Sequence, residues 1–188
     1  MLKSLFQTSI FEPQKAAEQI LALRLGNGQA WQLAVIASIL NAIMVVVTVM
    51  MFPPAVDGAF LVALNPVMLT AAFLVVIAAT AGLLFSAGRF LKGIAEFTDV
   101  LTLLGWLQMM RVAVQVGGFV LMVFLPGLAS VLTTIAYLYG FWILINFLKV
   151  AQGFDSLGRA ASNLVLSILG MTVVLSLLLT FIGFNTVG

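Results

Sequence analysis

Cysteine and histidine are both missing from this 188-residue chain, and only 7% of its residues are Asp, Glu, Lys or Arg. Their absence removes disulfides, thiol nucleophiles, imidazole bases and the common zinc and haem ligand sets. It fits either redox compartment. A soluble domain covers its surface with about 25% charged residues, so a water-soluble fold of this composition would expose large apolar areas and aggregate. The net charge of +2 is too small to point to a nucleic-acid partner. What the chain has in quantity is apolar: 63% of residues are hydrophobic and the mean hydropathy is +1.25. These residues come in long runs that no proline interrupts. The sequence therefore predicts an all-α, polytopic membrane bundle bathed in lipid.

Residues 1–30 form a cytosolic N-terminal segment. Met1 to Ile10 is short and mixed, and Ser9-Ile10-Phe11-Glu12 lacks the cleavage pattern of a signal peptide, so the N-terminus is expected to be retained. Pro13 suits the first helical position and Gly26 the stop, which predicts a helix over 13–25. Ala16, Ile20 and Leu23 share one face, opposite Gln14, Lys15, Glu18 and Gln19. Too short to cross about 30 Å of hydrocarbon, this helix is expected to lie amphipathically at the membrane interface. The alternative is a polar helix packed on the protein's own loops.

Residues 31–188 form the membrane domain, with five spans expected near 31–52, 67–87, 102–125, 128–148 and 163–184. Small residues recur every four positions at Ala34, Ser38 and Ala42, and again at Ala78, Gly82 and Ser86, as helix-packing stripes do. Asn41 beside the first stripe is read as an interhelical hydrogen bond. Gly88 to Val100 reads as a helical connector along the headgroups, with Lys92 and Glu96 spaced to pair and Arg89 and Lys92 facing lipid phosphate. In the third span Gln108, Arg111 and Gln115 share one polar face, which should avoid lipid. If Trp106 marks the interface, Arg111 is about 8 Å deep and can snorkel back; if the core begins at Leu101, it lies about 15 Å in. The shallow placement is preferred because Trp favours the interface. Gly117 and Gly118 permit a close crossing or a bend. Tyr137, Tyr139, Phe141 and Trp142 near the middle of span four read as packing more than as a ligand cage. Asn146 stands near that span's cytosolic end, within reach of Arg111 or its neighbours. Asp155 and Arg159 suit an ion pair or a phosphate anchor, and Glu96 with Asp99 would be a weak cation site.

Orientation follows from the basic residues. Lys3, Lys15 and Arg24, then Arg89 and Lys92, then Lys149 and Arg159 all fall on one side when five spans alternate, and the remaining loops hold none. Basic loop residues stay cytoplasmic, which puts the N-terminus inside and the C-terminus outside.

Several segments together resemble the Yip1 family of five-span membrane proteins, and its short bacterial members above all. They are Phe11-Glu12-Pro13-Gln14-Lys15-Ala16-Ala17, the Gly105-Trp106 pair, Gly140-Phe141-Trp142, and the turn Phe154-Asp155-Ser156-Leu157-Gly158-Arg159-Ala160. The resemblance implies a bacterial inner-membrane protein with a role in membrane organisation or trafficking. The Asp-Leu-Tyr-Gly-Pro motif of eukaryotic members is missing before span three, and with it the ground for a small-GTPase partner.

The function expected is thus a non-enzymatic scaffold, touching the bilayer, protein partners or a second copy of itself, with no cofactor and no metal. No acid lies inside a span and five spans do not split into equal repeats, so a transporter, channel or accessory subunit stands second. Serine or aspartyl catalysis would need a core base or carboxylate pair that the spans do not hold.

Overall fold

Proline decides where several helices begin. Pro13, Pro66 and Pro126 each occupy a first helical position, where a missing N–H costs nothing. In the computed structural model, which describes residues 2–52 and 65–183, the chain is helical throughout, with no strand among the described residues. The elements are α1 (Leu2–Phe11), α2 (Pro13–Ala22), α3 (Asn27–Met51), α4 (Pro66–Phe90), α5 (Phe97–Phe124), α6 (Pro126–Gln152) and α7 (Leu157–Gly183). Helices α3 to α7 are each long and apolar enough to cross a membrane. The expected loop around Asp57-Gly58 and the C-terminal tail lie outside the described residues.

The five long helices form a ring in the order α3, α5, α6, α7, α4, with α4 and α5 also touching across it. Arg159 Nη2 donates to the carbonyl of Leu91 at 3.0 Å, and Lys149 Nζ to Gln14 Oε1 at 3.3 Å. The N-terminal helices, the α4–α5 turn and the α6–α7 turn therefore share one end of the bundle, which also gathers the basic residues. Compared with the expected spans, every long helix runs three to six residues further at this basic end and stops within two residues of expectation at the other.

Three local features differ from the sequence reading. Residues 2–11, mixed in pattern, form α1. The expected helical connector over Gly88–Val100 is instead the end of α4, a six-residue turn and the start of α5. Lys92 breaks the helix by adopting a left-handed conformation (φ 61°), and Gly93 N–H then caps Gly88 O at 2.7 Å. Gly153 (φ 65°) ends α6 in the same way, with Phe154 N–H on Lys149 O at 2.9 Å. Lys92 and Glu96 do not pair; Asp99 instead accepts the Glu96 N–H at 3.0 Å and caps α5. Finally, the apolar face of α2 (Pro13, Ala16, Ala17, Ile20) is buried against α6 and α5, not spread on lipid.

The core concentrates at the basic end. Ala34, Ala81, Leu84, Val100, Leu101, Leu103, Phe147 and Leu148 are buried there, while most apolar residues of the far half are exposed to the membrane. The stripe Ala34, Ser38 and Ala42 is buried as expected of a packing face. In α4 the buried face is Ile77, Ala81, Leu84 and Gly88, one position away from the expected Ala78, Gly82 and Ser86. The larger side chains Ile77 and Leu84 bury more surface than that stripe could, and they set the rotation.

Candidate functional site

Two places draw polar side chains together: the basic end, and a groove between α5 and α6.

At the basic end the α1–α2 pair is fastened by side chains that the apolar pattern hides. Gln14 Nε2 donates to Asn146 Oδ1 at 2.8 Å while its Oε1 accepts from Lys149. Trp106 Nε1 donates to Ser9 Oγ at 2.9 Å, and Tyr139 Oη to the carbonyl of Ile10 at 2.7 Å. Asn146 thus serves α2 and its own helix, through Trp142 O, and not Arg111. Nearby, the Gln152 side chain is inserted between Gly88 and Gly93; a Cβ at either glycine would collide with its amide. Its Nε2 reaches Leu84 O at 3.4 Å, and Gln152 O accepts from Ile94 N–H at 3.1 Å. Trp31, Phe97 and Phe85 form a chain of ring contacts at 6.2 and 6.3 Å across α3, α5 and α4, and Arg89 covers Phe85 at 5.4 Å. Of the expected headgroup contacts, Arg89 and Lys92 are exposed. Arg159 is already engaged: it pairs with Asp155 at 3.1 Å, bonds Leu91 O and covers the Phe154 ring at 5.6 Å. It ties the two turns together.

The groove lies between α5 and α6 under α1. It encloses about 470 Å³, lined by Phe6 and Ile10 of α1, Leu107, Gln108, Arg111 and Val114 of α5, and Tyr137, Gly140 and Ile143 of α6, among others. The Arg111 guanidinium lies 5.3 Å from the Tyr137 ring centroid, a cation–π contact. Among the described residues no carboxylate pairs with it. Gln108 shares the groove, but Gln115 is not part of its lining, and Gln115 Oε1 is buried without a partner.

Arg111 stands midway along α5, 14 residues from Phe97 and 13 from Phe124. A Cβ at Gly105 would touch Leu33 of α3, and Phe119 meets Phe52 edge-to-face at 6.0 Å. Arg111 falls between these contacts, about 9 Å from one and about 12 Å from the other at 1.5 Å per residue. Trp106, five residues before Arg111 on α5, gives its indole N–H to Ser9 of α1.

The remaining residues singled out are dispersed. Asn41 is buried, but its Nδ2 donates to Ala37 O of its own helix at 2.8 Å and its Oδ1 has no partner, so it makes no interhelical bond. Gly82 and Gly117 have nothing near the position of a Cβ, whereas a Cβ at Gly118 would lie 3.0 Å from Thr133 Oγ1 of α6, and Gly105 and Gly88 are also closely approached. The sequence pattern gives Gln14, Ser9 and Gln152 no role in bridging elements. Gln152 is adjacent to Gly153, the one available signal that a helix end, and so a packed polar residue, stands there.

Neither the curated proteins nor the solved structures contain a match to this chain. A family model described as the Yip1 domain matches residues 8–179, from within α1 to within α7, and by that match the chain belongs to the Yip1 family.

Proposed function

We propose that this integral membrane protein is a non-enzymatic scaffold of the bacterial inner membrane, with its basic end in the cytosol and its N-terminus inside. The observation that carries the proposal is the fastening of α1 and α2 to the bundle through Gln14, Ser9 and Ile10. It holds a polar cytosolic surface, with Glu18 and Gln19 exposed, in fixed register with the spans. A rigid, polar, exposed face on a membrane anchor suits protein docking. The lack of cysteine, histidine and intraspan acids supports the non-enzymatic part of the proposal, and the collection of loop Lys and Arg at one end supports the orientation.

Photo-crosslinking in cells tests the proposal. A photoreactive residue at Glu18 or Gln19 should give discrete protein adducts, while one at Leu169, 57% exposed in α7, should capture lipid. If the platform positions yield only lipid, the scaffold is wrong. One observation favours a second role, as a transporter or accessory subunit: the cation in the α5–α6 groove. A specific solute flux in proteoliposomes that Arg111→Ala abolishes would establish that role instead.

A further inference from the structure

A charge within a membrane span is costly unless a counter-charge meets it, and Arg111, exposed along the groove, has only the face of Tyr137. The six acids of the chain are Glu12, Glu18, Asp57, Glu96, Asp99 and Asp155, none of them inside a span. A second copy of the chain therefore has no mid-span carboxylate to offer. Apart from Tyr137 and Tyr139, whose hydroxyl is given to Ile10 O, the rest of the groove's lining is apolar, and Gln108, three residues earlier on α5, adds an amide that bonds to nothing among the described residues. Its volume of about 470 Å³ is that of a site for a single small amphiphile.

We propose that this groove binds the carboxylate of a long-chain fatty acid. The guanidinium of Arg111 takes the carboxylate as a two-pronged ion pair, the Gln108 amide donates a further hydrogen bond, and the alkyl chain lies along Leu107, Val114 and Ile143. The position of Arg111 midway along α5, away from both helix ends, selects this ligand over a phospholipid. A phosphodiester carries its charge permanently and would have to drag it inward. A carboxylic acid enters neutral, since a low dielectric favours its protonated form, and ionises only beside the guanidinium. Phe6 and Ile10 close the site from above, so α1 covers the ligand.

The experiment uses the full chain in nanodiscs of neutral phosphatidylcholine, with a diazirine-bearing palmitic acid as probe and the corresponding alcohol as its uncharged control. Saturable labelling of peptides from α1, α5 and α6 by the acid is expected, with the alcohol labelling at least about tenfold less, the scale of one charge-assisted pair. Arg111→Gln should lower labelling by the acid to the level of the alcohol. Gly140→Leu should block both probes by filling the groove, because nothing lies near the Cβ position of Gly140 to resist it. The two variants touch different parts of the groove, so misfolding of one leaves the other to decide. Equal labelling by acid and alcohol, labelling indifferent to both variants, or displacement of the acid by phosphatidylglycerol would each overturn the assignment.

Discussion

The two ends of the bundle are built by different forces. At the basic end the helices project past their expected spans and bury Leu84, Leu101, Phe147 and Leu148 almost completely. Side-chain bonds from Gln14, Trp106, Tyr139 and Arg159 bind separate elements together there. At the far end, Val116 to Leu125 of α5 and Val173 to Leu177 of α7 leave most of their apolar side chains exposed. Water explains the difference. Where helices reach the aqueous boundary, the hydrophobic effect drives burial and polar groups need partners. Within lipid there is no such drive between apolar helices, and association rests on close packing and a few polar contacts. The basic end is therefore the part that specifies the tertiary structure, and the far end mostly spans.

The largest effect should separate the ends outright. Leu84→Ala, at a fully buried site, should cost about 2–5 kcal/mol, whereas Leu177→Ala, exposed in the far half of α7, should stay within about 0.5 kcal/mol. Thermal unfolding in one detergent measures both, and equal costs would erase the comparison. Next comes overpacking: Gly88→Val drives a side chain into Gln152 and should cost about 1–3 kcal/mol. Adding Gln152→Ala should recover part of that loss, since contacting sites are not additive.

How much of this the sequence shows depends on whether a feature is made by composition or by contact. The span count follows from the long apolar runs. The grouping of basic residues follows from their alternation among loops. The rotation of α4 does not: Ala78, Gly82 and Ser86 form a regular stripe, yet Ile77 and Leu84 turn inward because they bury more area. Asn41 could not be resolved either, because an asparagine in a helix can bond its own carbonyl as well as a neighbour's. The Gln108–Arg111 face is visible as a period of three and four, but its cover by α1 is not, because Trp106 meets its partner, Ser9, 97 residues away in sequence. Single polar residues that bridge distant elements, such as Gln14 and Gln152, leave no periodic mark at all.

Smaller changes sharpen the account of the N-terminal helices. Gln14→Ala removes two side-chain bonds to α6 and should cost about 1 kcal/mol. Its readout is faster hydrogen exchange in both α1 and α2. Tyr139→Phe removes only the bond to Ile10 O, for about 0.5–1.5 kcal/mol, and the faster exchange should be confined to α1. Spread of either effect into α3 or α4 would mean that the basic end behaves as one cooperative unit and not as a platform fastened to a bundle.

The absence of native cysteine permits the most direct test of the threading on which the account rests. Single cysteines at Asn65, exposed at the far end of α4, and at Ser156, exposed in the α6–α7 turn, can be challenged with a membrane-impermeant maleimide added to intact cells. The account predicts that N65C reacts at once and S156C only after the membrane is permeabilised. Reaction of both from the same side, or the reverse order, would contradict it.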